Sequence, residues 1–155
     1  MTATPRQKKK TPAPSRLAVQ RAVRAAPAAR TLLRWARAAA GAGLRATLRV
    51  VGAAEGRRLN RAFRGRNYAT NVLSFGYGGG RGDLVLCHPV IAREARDQGK
   101  PLPAHYAHMV VHGLLHLRGL DHARRAEAAR MQRREIRLLR SLGFPNPYPL
   151  KAALK

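Results

Sequence analysis

Residues 102–122, LPAHYAHMVVHGLLHLRGLDH, decide the fold, because they combine a nearly all-apolar segment with three histidines at metal-ligand spacing. The apolar pattern predicts a helix over 102–117 that is buried in the protein. His112 and His116 are four residues apart, so both rings project from one face of that helix. Gly119 allows the chain to turn back, and His122 then supplies a third imidazole. Catalytic zinc sites commonly use three protein ligands and an open fourth position, so the spacing predicts a catalytic metal site.

The spacing HxxxHxxGxxH is that of the metzincin peptidases, with one departure. Gly113 occupies the position at which those enzymes carry a glutamate that acts as general base. Because that glutamate accepts the proton of the attacking water, its absence argues against peptide hydrolysis. Phosphodiester cleavage depends instead on stabilising charge on the phosphoryl oxygens, which a metal ion can do. The general base for such a reaction is left unassigned by the sequence.

Two further histidines give an alternative ligand pair. His105 and His108 fall on the same arc of the predicted helix, so His108 could pair with His112 in place of His116. We favour His112, His116 and His122, because only that set uses the glycine turn. His105 and His108 are expected to line the cleft or to hydrogen-bond to residues around it.

Two non-catalytic explanations of the three histidines also exist. Three histidines could simply be packed in the core, although each neutral ring would then need two polar partners. A closed, structural zinc site would need a fourth ligand, for which Cys87 and Asp121 are the candidates. Asp121 is adjacent to His122 and is expected to orient that ring from behind. Cys87 lies on a predicted strand and is expected to be a core residue.

The charge of the chain indicates a polyanionic partner. Lys and Arg number 31 against 7 Asp and Glu, which gives a net charge of +24, and most of the cations are arginine. Such a surface favours nucleic acid. A genome-wide enrichment of Ala, Arg and Gly is the alternative source of this excess. The lone Cys87 excludes an internal disulfide and suits the cytoplasm, and no apolar run is long enough to span a membrane.

Hydrophobic periodicity predicts a mixed sheet with helices around it. Alternating or short apolar runs predict four strands, at RLAVQRAV, LRATLRVV, TNVLSF and GDLVLC. Helical spacing predicts four helices besides 102–117, at residues 30–42, 53–63, 89–98 and 124–142. In the second of these, Leu59 and Phe63 are expected to point inward. The fold class is therefore α+β, with about four strands covered by about five helices, one of them the buried metal-binding helix.

The chain is expected to contain one domain. Residues 1–15 are basic and proline-containing and are expected to be a disordered extension. Residues 16–148 carry all the predicted strands and helices, and residues 149–155 form a short tail.

Five blocks of the sequence, in order, resemble the YbeY family of bacterial endoribonucleases and rRNA maturation factors. They are LNRAFRGRNYATNVLSF, GDLVLC, AREARDQGKP, AHYAHMVVHGLLHL and HGLLHLRGLDH. The resemblance implies a zincin-like α+β domain that cleaves single-stranded RNA in 16S rRNA 3′-end maturation and ribosome quality control. It implies one divalent metal ion, usually taken as Zn²⁺, on the three preferred histidines, and a functional arginine at Arg64. It also implies rRNA and small-subunit proteins as partners, a cytoplasmic location and no DNA substrate. The alternative is a non-catalytic rRNA-binding assembly factor with structural zinc.

Other residues are weaker candidates for the site. Arg66 and Tyr68 lie in the basic loop that follows Arg64 and are candidates for RNA contact. Tyr68, Phe75 and Tyr77 could stack on unpaired bases, or they could be core and cleft residues. Asp83, at a strand end, is expected to be either structural or part of the cleft.

Overall fold

The computed structural model describes residues 13–119 and 125–148, which form a four-stranded sheet with five helices packed on it. The strands are β1 (Arg16–Arg21), β2 (Arg45–Val51), β3 (Val72–Gly78) and β4 (Arg81–Cys87). The helices are α1 (Ala29–Ala40), α2 (Ala53–Arg64), α3 (His88–Asp97), α4 (Leu102–Leu117) and α5 (Arg125–Ser141). The predicted α+β class, with its four strands and five helices, is confirmed. The N-terminal extension and C-terminal tail proposed from the sequence fall almost wholly outside the described residues.

The sheet is mixed, with the strand order β1-β2-β4-β3. β1, β2 and β4 run parallel to one another, and β3 pairs with β4 in the antiparallel direction. β3 and β4 form a hairpin whose turn contains Gly79 and Gly80, at φ values of 62° and 72°. Residues with a side chain rarely adopt this backbone conformation. The register between β3 and β4 shifts between Gly76 and Gly78, so Tyr77 is an extra residue at the hairpin end.

One face of the sheet carries the main core. Along β2, the side chains of Ala46, Leu48 and Val50 are buried and alternate with more exposed residues, as the sequence pattern predicts. α1 and α4 pack against this face, and α5 packs against α4. Within the described residues, no helix is long and apolar enough to cross a membrane.

The buried position of α4 is confirmed. All residues from His105 to Val111 are buried, and so are those from Gly113 to Leu115. A helix that packs on several sides needs apolar residues on several sides, which is why α4 has no strong polar face. α5 instead buries one stripe, with Met131, Glu135 and Leu139 spaced four residues apart.

The opposite face of the sheet is covered only in part, by α2. A smaller core there contains Val51, Leu73, Val85, Cys87 and Val90, so the expectation of a core Cys87 is confirmed.

The expectation that Phe63 points inward is wrong. Its side chain is 66% exposed, because Phe63 lies in the last turn of α2 and only one side of its ring is covered. That side contacts Phe75, with ring centroids 4.9 Å apart.

Candidate functional site

Four histidines form a row along α4. The ring centroids of His105 and His108 are 6.2 Å apart, those of His108 and His112 are 6.1 Å apart, and those of His112 and His116 are 4.7 Å apart. His105 and His108 are buried, whereas His112 and His116 are half-buried. The row therefore leads from the interior of the protein to an open cleft.

That cleft brings together residues from α2, β3 and α4. It has a volume of about 590 Å³, and its walls include Arg64, Ser74, Phe75, His112 and His116. Arg64 is the last residue of α2 and is exposed. The helix ends there because Gly65 adopts a left-handed conformation with φ 67°, and the Gly65 N–H caps the carbonyl of Arg61. Arg64 and two of the three preferred histidines thus line one cavity.

The remaining predicted site residues are placed as follows. His122 and Asp121 lie outside the described residues. Asp83 accepts a hydrogen bond from the Tyr77 hydroxyl at 2.7 Å and lines other grooves of the surface. Arg66 and Tyr68 are exposed in the loop after α2 and do not line the histidine cleft. Their role in RNA contact stays a prediction.

Two glutamates, Glu94 and Glu135, contact the histidines at the buried end of the row. Glu94 of α3 lies 3.0 Å from Nε2 of His105 and accepts hydrogen bonds from the Asn71 side chain at 3.1 and 3.2 Å. Burial lowers the pKa of His108, which favours its neutral form. His105 and His108 line a second cavity, of about 650 Å³, and do not line the cleft of His112 and His116. Their role beside the site stays a prediction.

Glu135 is the centre of the polar network around His112. Its side chain is fully buried and contacts Nδ1 of His112, the hydroxyl of Tyr148, and Nε2 of His108 at 3.4 Å. Burial alone would raise the pKa of the Glu135 carboxyl. Hydrogen bonds from His108, His112 and Tyr148 outweigh that effect and lower the pKa to about 2. The side chain is therefore a carboxylate, which can only accept hydrogen bonds.

This contact determines which nitrogen of His112 can bind a metal. A carboxylate at Nδ1 keeps the proton there and leaves the lone pair on Nε2. Histidines that ligate metals commonly donate their other N–H to a carboxylate in this way. Glu135 therefore orients and polarises the His112 ring and makes Nε2 the nitrogen that could ligate a metal ion.

The described residues offer an alternative to the three preferred histidines. One ligand atom from each of His108, His112 and Glu135 can be chosen so that all three lie within 4.8 Å of one another. In that set Glu135 would itself be a metal ligand. The two sets share His112 and differ in every other member, which makes them separable by substitution.

Packing explains why residue 113 is a glycine and not the glutamate of the metzincin peptidases. A Cβ atom at Gly113 would lie 2.2 Å from Cδ1 of Leu84, a buried residue of β4. The carbonyl of Gly113 accepts a hydrogen bond from the Ser74 hydroxyl at 3.1 Å. Position 113 therefore faces the sheet at close range and has no room for a glutamate side chain.

Comparison with known proteins then decides the family. A model of the family described as endoribonuclease YbeY matches residues 14–143 of the chain. The chain belongs to the endoribonuclease YbeY family. The resemblance found in the sequence blocks is therefore confirmed over nearly all of the described residues.

Several curated relatives carry the name endoribonuclease YbeY. That of Aromatoleum aromaticum is 55% identical over 146 residues, which cover 88% of this chain and 95% of the relative. That of an Azoarcus species is 53% identical over 135 residues, which cover 80% of this chain and 54% of the longer relative. That of Methylibium petroleiphilum is 52% identical, with 76% and 80% of the two chains covered.

A solved structure has a similar fold. The solution structure of TM1509 from Thermotoga maritima matches with a TM-score of 0.57 at 18% sequence identity. The match covers 83% of this chain and 91% of that chain. At this level of identity the similarity concerns the fold.

Sequence reasoning missed Glu135 and Tyr148 as site residues. The available signal for Glu135 was its position in α5, where a charged residue interrupts the buried stripe of Met131 and Leu139. A lone acidic residue in an apolar stripe indicates a buried partner. Tyr148 gave no comparable signal, because it lies after the last helix and 13 residues beyond Glu135.

Proposed function

We propose that this chain is a single-strand-specific, metal-dependent endoribonuclease. Its proposed task is maturation of the 3′ end of 16S rRNA and ribosome quality control in the cytoplasm, in association with small-subunit proteins. The observation that carries the proposal is the single cleft lined by Arg64, His112 and His116. The family supplies the reaction class, and the net charge of +24 suits an RNA substrate.

His112, His116 and His122 are the proposed ligands of one divalent ion, with Zn²⁺ preferred. Imidazole nitrogens are suitable donors for zinc, and the buried carboxylate of Glu135 provides the usual support for one of them. Such an ion would polarise a phosphoryl oxygen of the substrate. Asp121 is proposed to support His122 in the way that Glu135 supports His112.

Arg64 is the proposed phosphate-binding residue. Its exposed guanidinium at the end of α2 can donate two parallel hydrogen bonds to a phosphate in the cleft. That contact orients the scissile phosphate and opposes the negative charge that develops on its oxygens. A removed donor of this kind typically costs about 10²–10³ in kcat.

Cleavage of a defined 16S 3′-end precursor tests the activity. Arg64→Ala should reduce the cleavage rate by about 10²-fold or more while the bound metal stays at the wild-type level. The matched control is Arg61→Ala, an exposed arginine of the same helix that does not line the cleft. Equal rates for the two variants would contradict the role of Arg64. Wild-type protein that binds the precursor without cutting it would instead indicate a non-catalytic rRNA-binding factor.

Metal titration separates the two donor sets. If His112, His116 and His122 bind the ion, His116→Ala should lose it, whereas Glu135→Gln should bind it about 10- to 100-fold more weakly. If His108, His112 and Glu135 bind it, Glu135→Gln should lose the ion and His116→Ala should keep it. Circular dichroism of each variant controls for misfolding, since Glu135 is buried.

A further inference from the structure

Three arginines form a row across the sheet, on the face opposite the main core. Arg16, Arg45 and Arg81 are the first residues of β1, β2 and β4, and they are register partners of one another. Partners in neighbouring parallel strands point to the same face and lie about 4.8 Å apart. All three side chains are exposed. The row therefore places three guanidinium groups along about 10 Å of surface.

No carboxylate neutralises this row among the described residues. None of the three arginines forms an ion pair with a described acidic side chain. Asp83, the acidic residue of β4, accepts a hydrogen bond from the Tyr77 hydroxyl. Like charges on directly opposed residues of a sheet repel each other, so a bound anion would relieve an existing repulsion.

The arginine row lines a groove that neighbours the histidine cleft through a third groove, which shares wall residues with both. The groove has a volume of about 610 Å³ and includes Thr47, Tyr77 and Asp83 in its walls, together with Arg37. Thr47, Tyr77 and Asp83 also line the neighbouring groove, whose other walls include Phe63 and Phe75.

Phe63 and Phe75 in turn line the histidine cleft. Three concavities thus share their walls in series, from the arginine row to His112 and His116.

Exposed aromatic rings lie along these three concavities. Phe63 is 66% exposed and Tyr77 is 62% exposed, which is unusual for side chains of this size. One side of the Phe63 ring contacts Phe75, so the other side is open to solvent. Open aromatic faces beside arginines are the features on which unpaired bases stack in proteins that bind single strands.

We propose that these features form one binding path for single-stranded RNA that extends beyond the cleft. Bases stack on Phe63 and Tyr77, and phosphates lie on the row of Arg16, Arg45 and Arg81. The occupant is a single strand, because the bases of a duplex are paired and stacked on each other and are not free for side chains. The inference rests on the proposed function, since it extends the substrate of the same cleft.

Fluorescence anisotropy with a 2′-O-methyl oligonucleotide of about 12 nucleotides, checked for integrity afterwards, tests the row. The triple variant Arg16→Gln/Arg45→Gln/Arg81→Gln should bind about 10-fold or more weakly. The slope of log affinity against log salt should fall by about 2, since each lost phosphate contact to a single strand contributes about 0.7.

The control variant loses the same number of positive charges, but from a different part of the surface. It replaces Arg133, Arg137 and Arg140, which lie on the exposed side of α5 and line none of the three grooves. It should change the affinity by no more than about 2- to 3-fold, in line with screened, long-range charge effects. Equal losses in the two triple variants would overturn the proposal, because the row would then act only through net charge.

The aromatic part of the path has its own measurement. Tyr77→Leu should weaken single-strand binding by about 10-fold without changing the salt slope, and should leave duplex binding unchanged. Equal loss for duplex and single strand would overturn stacking on Tyr77.

Cleavage of the unmodified oligonucleotide is measured in parallel. If the wild-type protein cleaves RNA but the arginine-row variant binds as tightly as wild type, only this inference is contradicted. If the arginine-row variant binds more weakly but the wild-type protein does not cleave RNA, only the proposed endonuclease activity is contradicted.

Discussion

Gly113→Ala provides a sharp test of the contact between α4 and the sheet. An alanine Cβ would lie 2.2 Å from Cδ1 of Leu84, whereas carbon atoms in contact are about 3.5–4.0 Å apart. Either the Leu84 side chain or α4 must therefore move by more than about 1 Å, and Leu84 is fully buried and surrounded by other core residues. Such overpacking costs about 1–3 kcal/mol.

Helix propensity acts in the opposite direction. Replacing glycine by alanine inside a helix normally stabilises a protein by about 0.5–1 kcal/mol. The net expectation for Gly113→Ala is therefore a loss of about 1–2 kcal/mol in the free energy of unfolding. For a chain of this size, that loss lowers the melting temperature by about 2–8 °C.

Urea denaturation of four proteins measures the effect and its origin. The set is wild type, Gly113→Ala, Leu84→Val and the double variant. Because valine lacks the δ-carbons that clash, the double variant should be more stable than the sum of the single effects by about 1 kcal/mol. A Gly113→Ala protein that is more stable than wild type would refute the close contact, and with it the explanation for the missing glutamate.

Two further predictions concern hydrogen bonds to carboxylates. Tyr148→Phe should lower the free energy of unfolding by about 1–3 kcal/mol, because it removes a donor from the buried carboxylate of Glu135. Tyr77→Phe should have little effect, because the hydrogen bond from Tyr77 to Asp83 is exposed to solvent. Equal urea midpoints for the two variants would contradict this difference. Glu55 accepts hydrogen bonds from Arg49, which lower the pKa of Glu55 below 4.5, so its stabilising contribution is complete above pH 4.5 and is lost as the pH falls through the lower folded-state pKa. Glu55→Gln should therefore lose less stability than wild type between pH 7 and acid pH in urea denaturation, and parallel pH profiles would contradict the assignment.

Local patterns in the sequence were sufficient to predict most of the strands and helices. α4 was identifiable because it is apolar on nearly all sides, and β2 because its buried residues alternate. The errors arose where pairing or packing overrides local preference. The predicted strand TNVLSF ends at Phe75, yet β3 continues to Gly78 because it pairs with β4. Helical periodicity predicts that Phe63 points inward, but α2 covers only part of its face of the sheet, and Phe63 is exposed.

From residue spacing alone, the site was predictable only where its residues are close in the sequence, and Arg64 was identified through the family resemblance instead. His112 and His116 share one turn of α4, so spacing alone brought them together. Glu135 reaches His112 from 23 residues away, and no periodicity predicts which helix face will meet which. The arginine row likewise requires the order of the strands, since β2 and β4 become neighbours only when the chain crosses over.

The link from His112 through Glu135 to Tyr148 has a consequence for synthesis of the chain. Because domains made on the ribosome emerge from the N-terminus, His112 is available well before the two residues that hold it. Glu135 follows it by 23 residues, and Tyr148 follows Glu135 by another 13. A nascent chain that ends between these positions has the histidine row without its supporting carboxylate, or a buried carboxylate without its hydroxyl donor. A protein proposed to cut RNA thus receives the last support for its histidine cleft only when Tyr148 has left the ribosome.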